Sequence, residues 1–345
     1  MDVIENRIIS LLKNDELLSS TEIHQNLSLS ISISTLKRIL SKLVISNYLE
    51  IIGNRKSSKY KISEIYDLLE PINIDKYFEK EIDERKIKED FNFSIIRNII
   101  SQHKVLTNSE LEKLNDLQKT FTMNISQLSD SAYKKEFERL AIDLSWKSSQ
   151  IEGNTYSLLE AELLLKEKLT ASGKTKEEAI MLLNHKDAID FLILNPDYLS
   201  PLTIPSLEDI HSILIKELGV DRNIRKRRVG IIGTNYRPLD NEFQIIEALE
   251  QSFKVINNKE NVFEKALLAL VLISYIQPFN DGNKRTARIV SNALLMNENH
   301  CPLSYRSIDP IEYKKGMLLF YEQNNISRIK EIFIEQFEFA VKTYF

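Results

Sequence analysis

The chain has 345 residues, 43% of them hydrophobic and 28% charged, with only 8 Gly and 8 Pro. That balance excludes disordered, collagen-like and low-complexity classes and provides for a sizeable core in about two domains. Forty-six Lys and Arg against 50 Asp and Glu leave a net charge of −4, so any nucleic-acid contact has to come from a local patch.

The single cysteine, Cys301 beside Pro302 and Leu303, rules out an intrachain disulfide and reads as a small packed side chain. The first residues, Met1-Asp2-Val3-Ile4-Glu5, carry acid where a leader peptide needs base, so the expected location is the cytoplasm. The most apolar stretch, Ala266 to Ile276, contains Ser274 and is far shorter than the roughly 20 residues that span a bilayer. It reads as a buried helix, and no membrane partner is expected.

Scarce Gly and Pro with long 3.6-period apolar patterns predict a mostly α protein. Residues 1–63 read as three short helices followed by a strand, turn and strand. Ile4, Ile8, Leu11 and Leu12 share one helical face, Ser20 or Thr21 is placed to cap a second helix, and Ser32 to Asn47 forms a third on Leu36, Leu40, Leu43 and Val44. Tyr48 to Ile52 and Lys59 to Ile62 are the strands, with Gly53 to Ser58 as a polar turn between them. This order resembles a winged helix-turn-helix. Across residues 32–62 there are seven basic residues (Lys37, Arg38, Lys42, Arg55, Lys56, Lys59, Lys61) against one acid, Glu50. A third helix and turn of this charge suit the DNA backbone; a protein-docking or dimerisation unit with a solvated basic face fits the same pattern.

Residues 64–110 form a charged helical linker. Between Ile74 and Asp90, 12 of 17 residues are charged, with Ile74, Phe78 and Ile82 spaced by four, which predicts an exposed helix with one thin apolar stripe. Residues 111–345 form a long helical domain, interrupted over Arg228–Pro238 by β-branched, aromatic and glycine residues that predict a short β-hairpin.

Between two apolar helices lies Gln277-Pro278-Phe279-Asn280-Asp281-Gly282-Asn283-Lys284-Arg285-Thr286-Ala287-Arg288. Backbone N–H groups at a helix start bind anions, two arginines add fixed charge suited to phosphate, and Asp281 offers the hard oxygen that Mg²⁺ takes when it bridges protein and phosphates. The residues alone therefore point to a nucleotide or polyphosphate site with a divalent metal, or to a helix-helix turn held by surface ion pairs. No P-loop, G-x-G-x-x-G or H-E-x-x-H pattern is present.

This segment resembles the signature of the Fic (Fido) family, His-x-Phe-x-Asp/Glu-Gly-Asn-Gly/Lys-Arg-x-x-Arg, and the resemblance covers roughly residues 110–345. It implies an all-helical core and transfer of AMP from ATP to a Ser, Thr or Tyr hydroxyl of a target protein. By position, Asp281 would hold Mg²⁺, and Gly282, Asn283 and Lys284 would form an anion hole. Arg285 and Arg288 would grip the outer phosphates, and Phe279 would be core. The departure is Gln277, which stands where the family has its histidine base. A carboxamide cannot take a hydroxyl proton at neutral pH, and losing a general base typically costs about 10²–10⁴ in rate. Asn283 and Arg285 remain as catalytic positions beside it. Lys284 is the variant shared with Doc-type relatives, some of which transfer phosphate, so the transferred group stays open.

Upstream, Ser148-Ser149-Gln150-Ile151-Glu152-Gly153-Asn154 resembles the inhibitory motif of one Fic class. Glu152, at the end of a helix near 132–153, would pair with Arg288 and compete with a γ-phosphate; a helix simply stopped by Gly153 is the plainer alternative. The resemblance makes the predicted hairpin a target flap, with Ile231, Ile232 and Tyr236 presenting an edge to a protein segment. It also places Asn325 against adenine. His24, His103, His185 and His211 sit in helical patterns and read as structural. Three functions follow as expectations: an adenylyltransferase restrained by Glu152 and weakened by Gln277, a catalytically inactive ATP-binding regulator that contacts DNA through residues 32–62, and a Doc-type phosphotransferase. A homo-oligomer is also open.

Overall fold

The structure is a computed structural model that describes residues 3–14, 17–27, 31–54 and 58–345. It is mostly helical. The N-terminal unit comprises α1 (Val3–Asn14), β1 (Leu18–Ser19), α2 (Ser20–Asn26), α3 (Ile33–Ile45), β2 (Leu49–Ile52) and β3 (Lys59–Ile62). Its three strands form an antiparallel sheet in the order β1-β3-β2, with Leu49 opposite Ile62 and Leu18 opposite Tyr60. The two-residue strand β1 is too short to leave a pattern in the sequence. It shifts the cap of α2 from the expected Ser20 or Thr21 to Ser19, whose hydroxyl and Glu22 form a reciprocal capping box. Ile8, Leu12, Ile23, Leu36, Leu40, Leu43 and Leu49 make a core of their own. Lys37 and Arg38 are exposed on α3, while Arg55 and Lys56, expected at the tip of the β2–β3 turn, lie outside the described residues.

The charged stretch that follows is not one exposed helix. It forms α4 (Tyr66–Leu69), the single turn and a half of α5 (Ile74–Phe78), a short 3₁₀ turn over Ile82–Glu84 and a π-helical segment over Ile95–Ile100. Ile65, Leu68, Leu69, Ile95, Ile96 and Ile100 are buried in the main core. Four-residue spacing in a charged run marked a helix, but tertiary contacts with the body supplied better burial than a lone stripe does.

The body consists of α6 (Asn108–Ser126), α7 (Asp130–Ile151), α8 (Leu158–Glu167), α9 (Lys176–Leu194), α10 (Ile204–Leu214), α11 (Glu242–Asn258), α12 (Val262–Ile276), α13 (Asn283–Asn297), α14 (Pro310–Gln323) and α15 (Ser327–Tyr344). Every residue of α12 except Lys265 is buried. Fully burying one aliphatic side chain contributes about 1.5–3 kcal/mol, which makes this helix the axis that α11, α13 and α14 pack around. The one acid buried in it, Glu264, accepts the backbone N–H groups of Val105 (2.6 Å) and Leu106 (3.1 Å) and so fixes the entry to α6. No helix among the described residues is long and apolar enough to cross a membrane. Cys301 is buried, and burial pushes its thiol well above the ordinary range.

The predicted hairpin over Arg228–Pro238 does not form a strand ladder. The segment is an irregular loop whose single bridge is a parallel pairing of Arg237 with Asp90. Aromatic stacking decided its conformation: Tyr236 is buried on Tyr275, with ring centroids 4.8 Å apart, and donates its hydroxyl to the Tyr275 carbonyl at 3.0 Å. An alternating strand with one free edge cannot bury Tyr236 in that way.

Candidate functional site

The site grows from the junction of α12 and α13. Gln277 ends α12 in the left-handed region (φ 52°), and Gly282 opens α13 at φ 80°. A Cβ at position 282 would meet Ile215 Cγ2 at 3.2 Å and His211 at 3.3 Å, so both backbone and space require glycine. No side chain caps α13, which leaves its first N–H groups open to an anion.

The connecting loop is held from within. Asn283 Nδ2 donates to the Phe279 carbonyl (2.8 Å) and to Gln277 Oε1 (3.1 Å), and Asn283 Oδ1 accepts the Phe279 N–H (2.8 Å). Gln277 Nε2 donates to the Ser274 carbonyl (2.6 Å), so both polar atoms of this amide are engaged inside the loop. Phe279 lies in the core under a parallel stack with His211, 3.6 Å between ring centroids, and His211 bridges the carbonyls of Arg222 (3.2 Å) and Asp281 (2.9 Å). Burial lowers the His211 pKa below its ordinary value.

The positive charge comes from α13. Arg285 is buried, with a guanidinium nitrogen 3.6 Å from Asp281 Oδ2 and another bonded to the Leu214 carbonyl (3.4 Å). Arg288 is fully buried and faces the Tyr313 ring at 5.3 Å. Its Nε donates to Ser148 Oγ (2.8 Å) and its Nη2 to both the Ser148 carbonyl (2.9 Å) and Glu152 Oε1 (2.8 Å). Arg288 Nη1 has no hydrogen-bond partner among the described residues. Lys284 Nζ lies 3.5 Å from the other oxygen of Glu152. Burial alone would raise the Glu152 carboxyl, but the charges of Arg288 and Lys284 outweigh it and hold the group below the usual carboxylate range. Behind Ser148, His185 Nε2 shares its hydroxyl hydrogen bond at 2.7 Å; burial and the charges of Arg288 and Arg285 lower the His185 pKa well below its ordinary value.

In front of this pairing is an open cavity of about 340 Å³, walled by Glu152, the α13 start, Val229–Ile232 of the irregular loop and the Tyr313–Tyr321 face of α14. Gln277, Asp281, Gly282, Asn283, Lys284, Arg285, Ile231 and Ile232 all line it. Gly153, at φ 103°, follows the carboxylate as the stop of α7. Ser148, Gly153 and Arg288 are not part of the lining and are joined to it through Glu152, and two further expected members are not at the site at all. Tyr236 is committed to the core, and Asn325 turns the other way. Its Nδ2 donates to the carbonyls of Asp67 (3.0 Å) and Glu70 (2.8 Å), and its Oδ1 accepts the Ser327 hydroxyl (2.6 Å). Ile232 is 99% exposed at the mouth.

Asp281 is the carboxylate that could take a cation here: its side chain is 70% exposed, and its one ionic partner among the described residues is the 3.6 Å contact with Arg285. No group of three or more His, Cys, Asp or Glu arranged to hold a metal ion is found among the described residues. A Mg²⁺ ion fits only as one carboxylate allows, completed by phosphate oxygens and water.

The sequence offered no sign of Arg225. This buried arginine donates to the carbonyls of Gln277 (2.6 Å), Arg227 (2.7 Å) and Leu239, and its N–H donates to the Pro278 carbonyl (3.0 Å). It sits in the run Arg225-Lys226-Arg227-Arg228, where composition cannot tell the one buried cation from its exposed neighbours. Tyr313 and His185 were equally hidden, because each depends on which helix packs beside α13.

A model of the Fic/DOC family matches residues 201–295. Over 189 residues the chain is 26% identical to a protein adenylyltransferase Fic of Aedes aegypti, covering 52% of this chain and 37% of that protein. A protein of the same name from Culex quinquefasciatus is 27% identical over 184 residues, covering 50% of this chain and 36% of the relative. The match thus spans little more than a third of the length of these relatives. Among solved structures, Fic-1 from C. elegans superposes with a TM-score of 0.60 at 19% identity, over 68% of this chain and 72% of that one. A Fic family protein from Desulfovibrio desulfuricans gives 0.59 at 16% identity, over 69% and 74%. These likenesses are of fold. The stretch that the Fic/DOC family model matches runs from the approach to α10 through most of α13 and carries the 277–282 loop near its end.

Proposed function

We propose that this chain is a Fic-type adenylyltransferase, taking ATP and transferring AMP to a Ser, Thr or Tyr hydroxyl of a target protein. In this reading Glu152 restrains it and Gln277 slows it. The observation that carries the reading is the 2.8 Å pairing of Glu152, which lines the pocket beside the uncapped α13 start, Arg285 and Asp281, with the fully buried Arg288 behind it. An outer phosphate and the Glu152 carboxylate need the same guanidinium, so they exclude one another. Ser148 and Gly153 set the carboxylate: one is bonded to Arg288, and the other ends the helix that carries it. Gly282, Asn283 and Lys284 contribute backbone N–H groups and an ammonium to the phosphates, Arg285 and Arg288 their fixed charges.

Asp281 would hold Mg²⁺, which when bound neutralises charge on the phosphates. Gln277 can orient a hydroxyl but takes no proton, so the rate rests on positioning and electrostatics. Ile231 and Ile232 at the cavity mouth are where a target segment would lie. The lone buried thiol suits a reducing cytoplasm.

The test is transfer of label from α-labelled ATP by three versions: the chain as given, Glu152→Gly, and Glu152→Gly with Gln277→His. Strong labelling by the double variant and weak labelling by the others is the expected result. No labelling by the double variant removes the transferase reading, and label that comes from the γ-phosphate instead assigns phosphotransfer, the chemistry hinted at by Lys284.

A second reading draws on one observation: both polar atoms of the Gln277 amide are spent inside the loop. The pocket would then only bind ATP and report its occupancy through the N-terminal unit, a winged helix contacting DNA with the exposed Lys37 and Arg38. Charge reversal at those two residues should abolish salt-sensitive DNA retention; retention unchanged by the reversal removes this reading.

A further inference from the structure

The pocket has two walls that are not covalently close, the Val229–Ile232 loop and α14, and one side chain touches the ends of both. Arg85, from the charged stretch that connects the N-terminal unit to the body, pairs through Nη1 with Glu322 (3.1 Å) and donates through Nη2 to the Gly233 carbonyl (2.8 Å). Its side chain is 6% exposed and that of Glu322 is 0%. Glu322 directly follows Tyr321 and Gly233 directly follows Ile232, and both of those neighbours line the cavity. The walls come close at this point, since a Cβ on Gly233 would meet Leu318 Cδ1 of α14 at 3.3 Å.

We infer that Arg85 is a positioning residue: its guanidinium fixes the width of the nucleotide pocket by tying the loop wall to the helix wall. A planar fork reaches two acceptors in fixed directions, which a single ammonium does not. The rest of the stretch reinforces the tie. Tyr77 donates its hydroxyl to Glu322 (2.6 Å), Asn235 donates to Asp83 (2.9 Å), and the Arg237 N–H donates to the Glu89 carbonyl (2.6 Å). Arg85 does not itself line the cavity. Its effect on binding therefore passes through Gly233 and Glu322. The part of the inference that concerns nucleotide rests on the reading of the cavity given above; the part that concerns the walls does not.

The test separates the two parts. In the full chain, Arg85→Lys keeps a charge for the buried Glu322 but gives up the fork, and Arg85→Met with Glu322→Gln removes both charges while leaving Tyr77 an acceptor. Amide hydrogen exchange of the nucleotide-free proteins reads the walls. Exchange across 229–237 and at the end of α14 is expected to quicken about tenfold or more in both variants, the loss of one charge-assisted hydrogen bond. Exchange unchanged there, or raised evenly over the whole chain, overturns the inference. Affinity for ATP with Mg²⁺, measured in a Glu152→Ala background, is expected to fall about tenfold in Arg85→Lys while thermal stability stays near that of the parent. A purely structural ion pair predicts the reverse, with Lys rescuing both together. Absence of ATP binding in the Glu152→Ala parent itself refutes the reading of the cavity and leaves the exchange result to decide on Arg85.

Discussion

Replacing Glu152 by Ala should make the protein less stable and a better nucleotide binder at once. The carboxylate is the acidic partner of Arg288, which is fully buried, and the contact is 2.8 Å. Breaking a buried pair by removing one partner costs about 3–5 kcal/mol because the remaining charge is left without compensation. The lower end applies, about 3 kcal/mol, since Ser148 still accepts from Arg288 through two atoms and the Tyr313 ring still faces it. The 3.5 Å contact with Lys284 adds little, because it is long and partly solvated. For ATP the sign reverses. An outer phosphate no longer has to displace a charge-assisted hydrogen bond worth about 1.5–3 kcal/mol, so affinity rises about ten- to a hundredfold. Denaturant unfolding reads the first effect, and titration calorimetry with ATP and with ADP reads the second. ADP, which lacks the γ-phosphate, should gain less. An equal gain for both nucleotides, or no gain in a folded variant, refutes the competition at Arg288.

Asp281→Asn should abolish the Mg²⁺-dependent part of ATP binding, measured with and without chelator, while stability changes by less than about 0.5 kcal/mol at so exposed a side chain; Mg²⁺ dependence that survives removes Asp281 as the ligand. Gly282→Ala should cost about 1–2 kcal/mol for the left-handed backbone alone, more from the 3.2 Å approach to Ile215, and should lower the denaturant midpoint together with ATP affinity. The buried His185, its pKa well below 6.5, stays neutral in the folded chain while the unfolded chain takes up a proton near 6.5. Its stabilisation is thus complete above that pH and is lost as pH falls below it. His185→Gln should flatten the stability curve between roughly pH 6.5 and 5, and an unchanged slope there contradicts the burial argument.

The cavity wall at α13 was legible because it is local. Asp281, Gly282, Lys284 and Arg285 lie within one loop and the first turn of a single helix, so their spacing alone brings them together, and Arg288 follows one turn further on. Glu152 was legible as a carboxylate at the end of a helix. The loop over Arg228–Pro238 was not, since β-branched and aromatic residues mark a strand only when nothing better is offered, and Tyr236 had the Tyr275 ring to stack on. Asn325 failed for a related reason: two backbone carbonyls of the α4 region, more than 250 residues away in sequence, claimed its amide.

By itself the sequence determined the helical class, the buried α12, the separate N-terminal core and the loop that leads into α13, all of which follow from periodicity and short-range spacing. The tertiary structure alone decided that Arg288 is closed by Glu152 from another helix, that Gln277 spends its amide on Ser274 and Asn283, and that Arg85 and Arg225 brace the walls. The physical reason is that a buried cation takes whichever carboxylate or carbonyl the packing of distant helices brings within about 3 Å, and no one-dimensional pattern records that choice.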